Sequence, residues 1–226
     1  HIRDYIIIGG MPAVVEEFRQ SKSYQKCQRL QNAIMTTYVD DFAKYANTSQ
    51  HKYLQSVMNA APGLVGQICK YSHINPSFRA NDLSNAISNL SKAGVIYQVP
   101  STKASGLPLS TLASTKKFKL IFLDIGLMTR ASGLTEEVLT SEDFFALNRG
   151  ALMEQLVGQE LLAYQDSYQK RELFFWMREK TGSMAEIDYL FQSGRHILPV
   201  EVKAGKSGKF KSMLLFMREK ERKLGI

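Results

Sequence analysis

Between Ala185 and Lys203, two short runs of β-branched and aromatic residues flank Gln192-Ser193-Gly194-Arg195, and this hairpin signature constrains the chain more than any other stretch. A tight turn there requires two antiparallel strands, Ala185 to Phe191 and His196 to Lys203. Upstream, Glu172 to Met177 reads as a third strand, and the run from Asn148 to Tyr164 has the apolar spacing of a helix. A last helix is expected from about Gly208 to Arg222. Helix, three strands and helix make an α/β unit.

The rest of the chain has a different rhythm. From Tyr5 to Tyr53 apolar residues recur at helical spacing, interrupted by Gly9-Gly10-Met11-Pro12, where Pro12 suits the first turn of a new helix. Three or so helices are expected there. Pro62-Gly63 breaks the pattern, and Leu64 to Tyr71 predicts another short helix. Ser77 or Asn81 is placed to cap a helix through Leu83, Ile87 and Leu90, with Gly94 ending it in the left-handed conformation. Val95 to Val99 reads as a strand, Pro100 to Ser110 as a polar loop, and Lys117 to Leu123 as a second strand. That order is the one a winged helix-turn-helix uses. The expected division is a helical region over 1–60, a winged helix over 61–130 and the α/β unit over 131–226.

Charge sharpens this division. The chain carries 29 Lys and Arg against 21 Asp and Glu, a net of +8, and residues 61–130 hold eight basic and two acidic side chains. A local positive field of this kind favours polyanions through release of condensed counterions. Arg79, Asn81, Asn85, Ser88 and Lys92 form the candidate reading face of the helix, Lys103 lies in the wing, and DNA is the expected partner. A winged helix that contacts only protein, or a merely solubilising surface, would carry the same charge.

Several classes are excluded or disfavoured. Two cysteines, Cys27 and Cys69, cannot build a disulfide framework or a zinc ribbon, and His1, His51, His73 and His196 are too dispersed for a local metal motif. No apolar run long enough to span a membrane and no export signal occur, so a cytoplasmic protein is expected. A first residue of His, and an exit from the last helix toward Ile226, suggest a piece of a longer protein.

The hairpin also carries the candidate chemistry. With Ser193-Gly194 at the centre of the turn, Asp188 faces Pro199, and Glu201 is its diagonal neighbour, roughly 7–8 Å away at the backbone. Two carboxylates so placed can reach one divalent cation such as Mg²⁺. Lys203 projects to the same side because strands alternate with period two, while Leu198, Val200 and Val202 point into the core. Paired acids followed by a lysine suit metal-assisted phosphodiester hydrolysis, with the acids as metal ligands and the ammonium offsetting developing charge. Glu154 shares a helical stripe with Val157 and Leu161, and a carboxylate in such a place needs a partner. The same residues could equally form a solvated strand face with cross-strand ion pairs. Pro199 weakens the simple hairpin, since proline cannot donate to a central ladder. Ala204-Gly205-Lys206-Ser207-Gly208-Lys209-Phe210 imitates a phosphate-binding loop but is two residues short, and Phe210 replaces the hydroxyl residue, so the chain holds no ATP site.

Taken together, Gly9-Gly10-Met11-Pro12-Ala13-Val14-Val15, Asp41-Phe42-Ala43-Lys44-Tyr45, Lys117-Phe118-Lys119-Leu120, Asp124-Ile125-Gly126-Leu127, Arg149-Gly150-Ala151-Leu152-Met153-Glu154, Glu186-Ile187-Asp188-Tyr189 and Pro199-Val200-Glu201-Val202-Lys203-Ala204-Gly205 resemble the C-terminal region of bacterial and archaeal AAA-type ATP-binding proteins. The resemblance covers almost the whole chain. It implies an ATPase domain preceding this piece, with ATP bound only there, then a winged helix and a PD-(D/E)xK restriction-endonuclease-like domain whose closing strands lie beyond Ile226 or are unstructured. Carried over by position, it makes Asp188 and Glu201 metal ligands for Mg²⁺, Glu154 the first-helix acid, and Lys203 the lysine of the ExK element, with Glu154 and Lys203 in catalytic roles. Three functions stay open on these grounds: a Mg²⁺-dependent nuclease, a catalytically silent nucleic-acid-binding module that targets the ATPase, and a protein-interaction domain. Whether the chain forms a homo-oligomer is open too.

Overall fold

A computed structural model describes residues 2–45, 48–135, 149–168, 170–178, 185–203 and 210–226. Within them the fold is mixed α/β, with a five-stranded sheet. Helices α1 (Ile2–Ile8), α2 (Pro12–Ser21), α3 (Tyr24–Tyr45), α4 (Thr48–Leu64), α5 (Tyr71–Ile74) and α6 (Ala80–Lys92) come first. Strand β1 (Ile96–Thr102), a short 3-10 turn (Leu109–Leu112), β2 (Ala113–Phe122) and α7 (Ile125–Ala131) follow. Then come α8 (Arg149–Ala163), β3 (Phe174–Met177), β4 (Glu186–Ser193), β5 (His196–Val200) and α9 (Lys211–Glu219). The imitation phosphate loop, residues 204–209, lies outside the described residues.

Strand order is β2-β1-β3-β4-β5, antiparallel throughout except for the parallel pairing of β1 with β3. One sheet therefore runs from the basic hairpin into the α/β unit. Alternation along β2 explains how it serves two cores: Phe118, Leu120 and Phe122 enter the large helical cluster, while Ile121 joins the cluster beneath α8. On the other side of the α/β unit, Trp176, Ile187, Leu190 and Ile197 pack with Met213 and Phe216 of α9.

Four local expectations are corrected. Pro62 sits inside the last turn of α4, which ends only at Leu64, and the short helix is Tyr71–Ile74 rather than Leu64 to Tyr71. Gly66 in the left-handed region (φ +78°) stops helical continuation, and Cys69 instead donates its N–H to the Phe118 carbonyl on the outer strand β2. Arg79, not Ser77 or Asn81, holds the N-cap position of α6 and makes no side-chain cap. The first strand runs on to Thr102, beyond Val99, and the second begins at Ala113.

The fourth correction concerns register. Ser193 pairs with His196, so Gly194-Arg195 forms the turn, with Gly194 at φ +58°, and Leu190 rather than Asp188 faces Pro199. Pro199 is tolerated because β5 is the outer strand of the sheet. Between β3 and β4 the register slips, with Phe174 opposite Leu190 but Trp176 opposite Ile187. Asp188 and Tyr189 thus stand together against Phe175, a β-bulge that re-aims both side chains.

Candidate functional site

Lys119 is the residue around which the acids gather. Period-two alternation on β2 turns it away from Phe118 and Leu120, toward the side where Ile121 packs under α8. Its side chain is only 2% exposed. Its Nζ lies 3.0 Å from Glu154 Oε2, 3.6 Å from Asp188 Oδ1 and 2.5 Å from Glu186 Oε1. An ammonium has three donors, and here three carboxylates surround it. The ring of Phe175 lies 5.5 Å from the same nitrogen.

The bulge in β4 is what brings Asp188 here. Asp188 also accepts the Val202 N–H at 2.7 Å, and Tyr189 beside it donates its hydroxyl to the Glu154 carbonyl at 2.8 Å. Glu154 projects from α8, which comes so close to the sheet that a Cβ on Gly158 would lie 2.5 Å from Ile121 Cδ1 and 2.6 Å from the Tyr189 hydroxyl. Burial pushes the Glu154 carboxyl up to about 7, against the lowering effect of Lys119. Burial likewise raises Asp188, again opposed by Lys119. Burial alone would lower Lys119, but Glu154, Glu186 and Asp188 outweigh it and hold the ammonium protonated.

Glu201 and Lys203 form a second group. Glu201 Oε2 accepts the Met213 N–H at 3.1 Å, in the first turn of α9, and Oε1 pairs with Lys203. Val200 and Val202 pack in the cluster with Tyr189. So Asp188 and Glu201, expected on one side of the hairpin, go to separate partners: Asp188 to Lys119 and Glu201 to α9. They stay close enough for Glu201 to favour the protonated form of Asp188.

Whether this set fits Mg²⁺ can be tested on the geometry. The centre of the Glu154, Glu186 and Asp188 cluster is filled by an ammonium, and both Glu201 oxygens are engaged. Among the described residues no group of three or more His, Cys, Asp or Glu side chains is placed to hold a metal ion. As placed, the residues do not fit a divalent cation.

Sequence reasoning missed Lys119, Glu186 and the helix-to-sheet clamp of Gln155. The buried Gln155 amide accepts the Phe122 N–H at 2.8 Å and donates to the Phe122 carbonyl at 2.7 Å, as a neighbouring strand would. A signal for Lys119 was present: a lysine between Phe118 and Leu120 shares its face with Ile121.

The candidate nucleic-acid face is laid out differently. On α6, Leu83, Ala86, Ile87 and Leu90 are buried, while Asn81, Asn85 and Lys92 are exposed and Ser88 is half-buried. Arg79 precedes the helix and is exposed, and Gly94 (φ +73°) turns the chain into the β1–β2 hairpin, where Lys103 and Lys116 are exposed. Among the described residues Arg79, Lys92, Lys103 and Lys116 form no ion pair. A cleft of about 560 Å³ opens beside the hairpin loop, lined by Lys103, Trp176, Arg178 and Lys220 among others. Arg178 is already held by Glu219, at 3.0 and 2.7 Å.

No helix among the described residues is long and apolar enough to cross a membrane. The chain is thus an α/β protein in two sequence regions joined through one sheet and one buried lysine. It belongs to the family of a domain of unknown function, DUF8612, which matches residues 1–138. Residues 149–225 match a second domain of unknown function, DUF4143, commonly found in AAA-ATPase-associated proteins. Neither a curated protein nor a solved structure matches the chain. Lys119 lies in the first matched region, and Glu154, Glu186 and Asp188 lie in the second.

Proposed function

We propose that this chain is a DNA-binding targeting module of an AAA-type ATP-binding protein, hydrolytically silent as folded, with ATP turnover supplied by an ATPase domain of the same polypeptide. The supporting observation is the basic and amide-bearing surface of α6 and the following hairpin, where Arg79, Lys92, Lys103 and Lys116 carry charge with no ion-pair partner among the described residues. Such charges lie ready to replace counterions on a phosphate backbone. In this role Asn81, Asn85 and Ser88 face the groove of a helix-turn-helix complex, and the hairpin is its wing.

The test is fluorescence anisotropy with duplex DNA over a salt series. Affinity should fall steeply with salt, and Lys92→Glu with Lys103→Glu should weaken binding for every sequence and reduce the slope by about two phosphate contacts. Binding indifferent to ionic strength, or untouched by the double substitution, ends this proposal.

A second function, metal-dependent phosphodiester cleavage, has one specific observation on its side: Asp188 accepts the N–H of Val202, the residue between Glu201 and Lys203, and Glu201 is paired with Lys203. It predicts nicking that needs Mg²⁺ or Mn²⁺ and disappears in Asp188→Ala and in Lys203→Ala while the fold survives. A wild-type protein that leaves DNA intact with either metal excludes it.

A further inference from the structure

We infer that Lys119 is a resident cation that takes the position a divalent metal would need, so that the acid cluster is closed to Mg²⁺ while β2 is seated on the sheet. The inference rests on the silent reading above and names what silences the site.

Three features carry it. First, the geometry is that of a cation site already filled: one ammonium among three carboxylates from two separate elements, Glu154 on α8 and Glu186 and Asp188 on β4. Second, Lys119 is 2% exposed and touches the acids directly, and Mg²⁺ gives up its hydration shell reluctantly, so a hydrated ion reaches the centre of the cluster only by displacing the ammonium. Third, the walls are fixed by close packing. A Cβ on Gly66 would lie 3.3 Å from Glu154 Oε1, the Tyr189 hydroxyl holds the Glu154 backbone, and Val202 N–H holds Asp188. Glu154 and Asp188 are therefore held in place around the ammonium, and Glu186, 38% exposed, closes the cluster on its solvent side. Because Lys119 belongs to the strand that continues from the basic hairpin, closure of the acid cluster is tied to the seating of that strand.

Removing the ammonium should therefore create a metal site. Mn²⁺ binding is measured by electron paramagnetic resonance on the whole chain, as wild type, Lys119→Met, and Lys119→Met combined with Asp188→Asn. The wild type should take up no stoichiometric Mn²⁺ and show no thermal shift with it. Lys119→Met should bind one Mn²⁺ at least about tenfold more tightly than wild type and regain thermal stability on binding, and the added Asp188→Asn should abolish both. Stoichiometric Mn²⁺ on the wild type, or no gain in Lys119→Met, overturns the inference. Should Lys119→Met fail to fold, the lysine ammonium signals of the wild type decide by NMR. A slowly exchanging, buried ammonium unaffected by stoichiometric Mn²⁺ supports the resident cation, and paramagnetic broadening of that signal overturns it. DNA retention is read separately, so loss of the targeting function and loss of the closed cluster are distinguishable.

Discussion

Two groupings of carboxylates among the described residues are satisfied in opposite ways. Asp124, 3% exposed, accepts the Gly10 N–H at 2.7 Å and the Leu127 N–H at 2.9 Å, capping α7 and tying it to the turn after α1. Its donors are backbone. At the second place Glu154, Glu186 and Asp188 share one side-chain ammonium. Backbone donors work only if two chain segments nearly touch, which here requires glycine: a Cβ on Gly9, itself at φ +74°, would lie 2.1 Å from Asp124 Oδ1. A side-chain donor reaches across open distance on a flexible stem and can be removed without moving the backbone. The first arrangement is a joint, and the second is a plug.

The joint should be the more fragile to added volume. A Cβ on Gly126 would lie 2.5 Å from Gly9 N and from the Ile8 carbonyl group, atoms of a neighbouring backbone that cannot rotate away. Gly126→Ala is expected to cost about 5 kcal/mol or to prevent folding, as read by urea denaturation. A loss under about 1 kcal/mol would break the contrast, because the segments would then have room to part.

The plug should be fragile to removal instead. Lys119→Met leaves three acids without their cation and is expected to cost about 3–4 kcal/mol at neutral pH. The loss should shrink toward pH 5, as the acids can then take up protons. A cost independent of pH would mean that lost packing, not lost charge, is being measured.

A smaller effect separates Glu154 from the rest of the cluster. Its folded value of about 7 lies above the ordinary value of 4.5, so its contribution to stability is fully present below about pH 4.5 and is lost as pH rises through 7. That swing amounts to at most about 3 kcal/mol. In Glu154→Gln the decline of stability between pH 4.5 and 7 should flatten relative to wild type, although the upward shifts of Asp188 and Asp124 leave part of the slope in place. Parallel wild-type and Glu154→Gln curves would show that Glu154 is not held protonated by burial.

These two places also differ in how far they could be read in advance. The α/β class, the amphipathic face of α6 with its left-handed Gly94, the turn at Gly194 and the need of Glu154 for a partner all follow from local pattern. The plug does not, because it depends on pairing between distant strands. Lys119 meets Glu186 and Asp188 only once β1 has joined β2 to β3, and Asp188 turns toward it only through a bulge that adds a residue to β4. A regular ladder, assumed in the sequence reading, gives Asp188 to Glu201 instead. Glu201 in turn is claimed by the first turn of α9, whose docking position no local pattern announces.

The smallest expected effect tests whether what matters in the joint is overlap itself or the kind of atom overlapped. Gly158 on α8 has the same nominal conflict as Gly126, 2.5 Å from its nearest neighbour, but that neighbour is Ile121 Cδ1, the far end of a flexible side chain, with the Tyr189 hydroxyl next at 2.6 Å. Ile121 Cδ1 is the end of a flexible side chain, whereas Tyr189, whose Cζ would lie 2.8 Å away, would have to tilt and lengthen its hydrogen bond to the Glu154 carbonyl, a net loss of about 1 kcal/mol. Against this, alanine in a helix interior gains up to about 1 kcal/mol over glycine. Gly158→Ala should therefore change stability by about 1 kcal/mol or less, several-fold below Gly126→Ala, in the same urea titration. Equal losses at the two glycines would mean that side chains around the plug are as immobile as backbone, and that Lys119 is held by a wall as rigid as the one around Asp124.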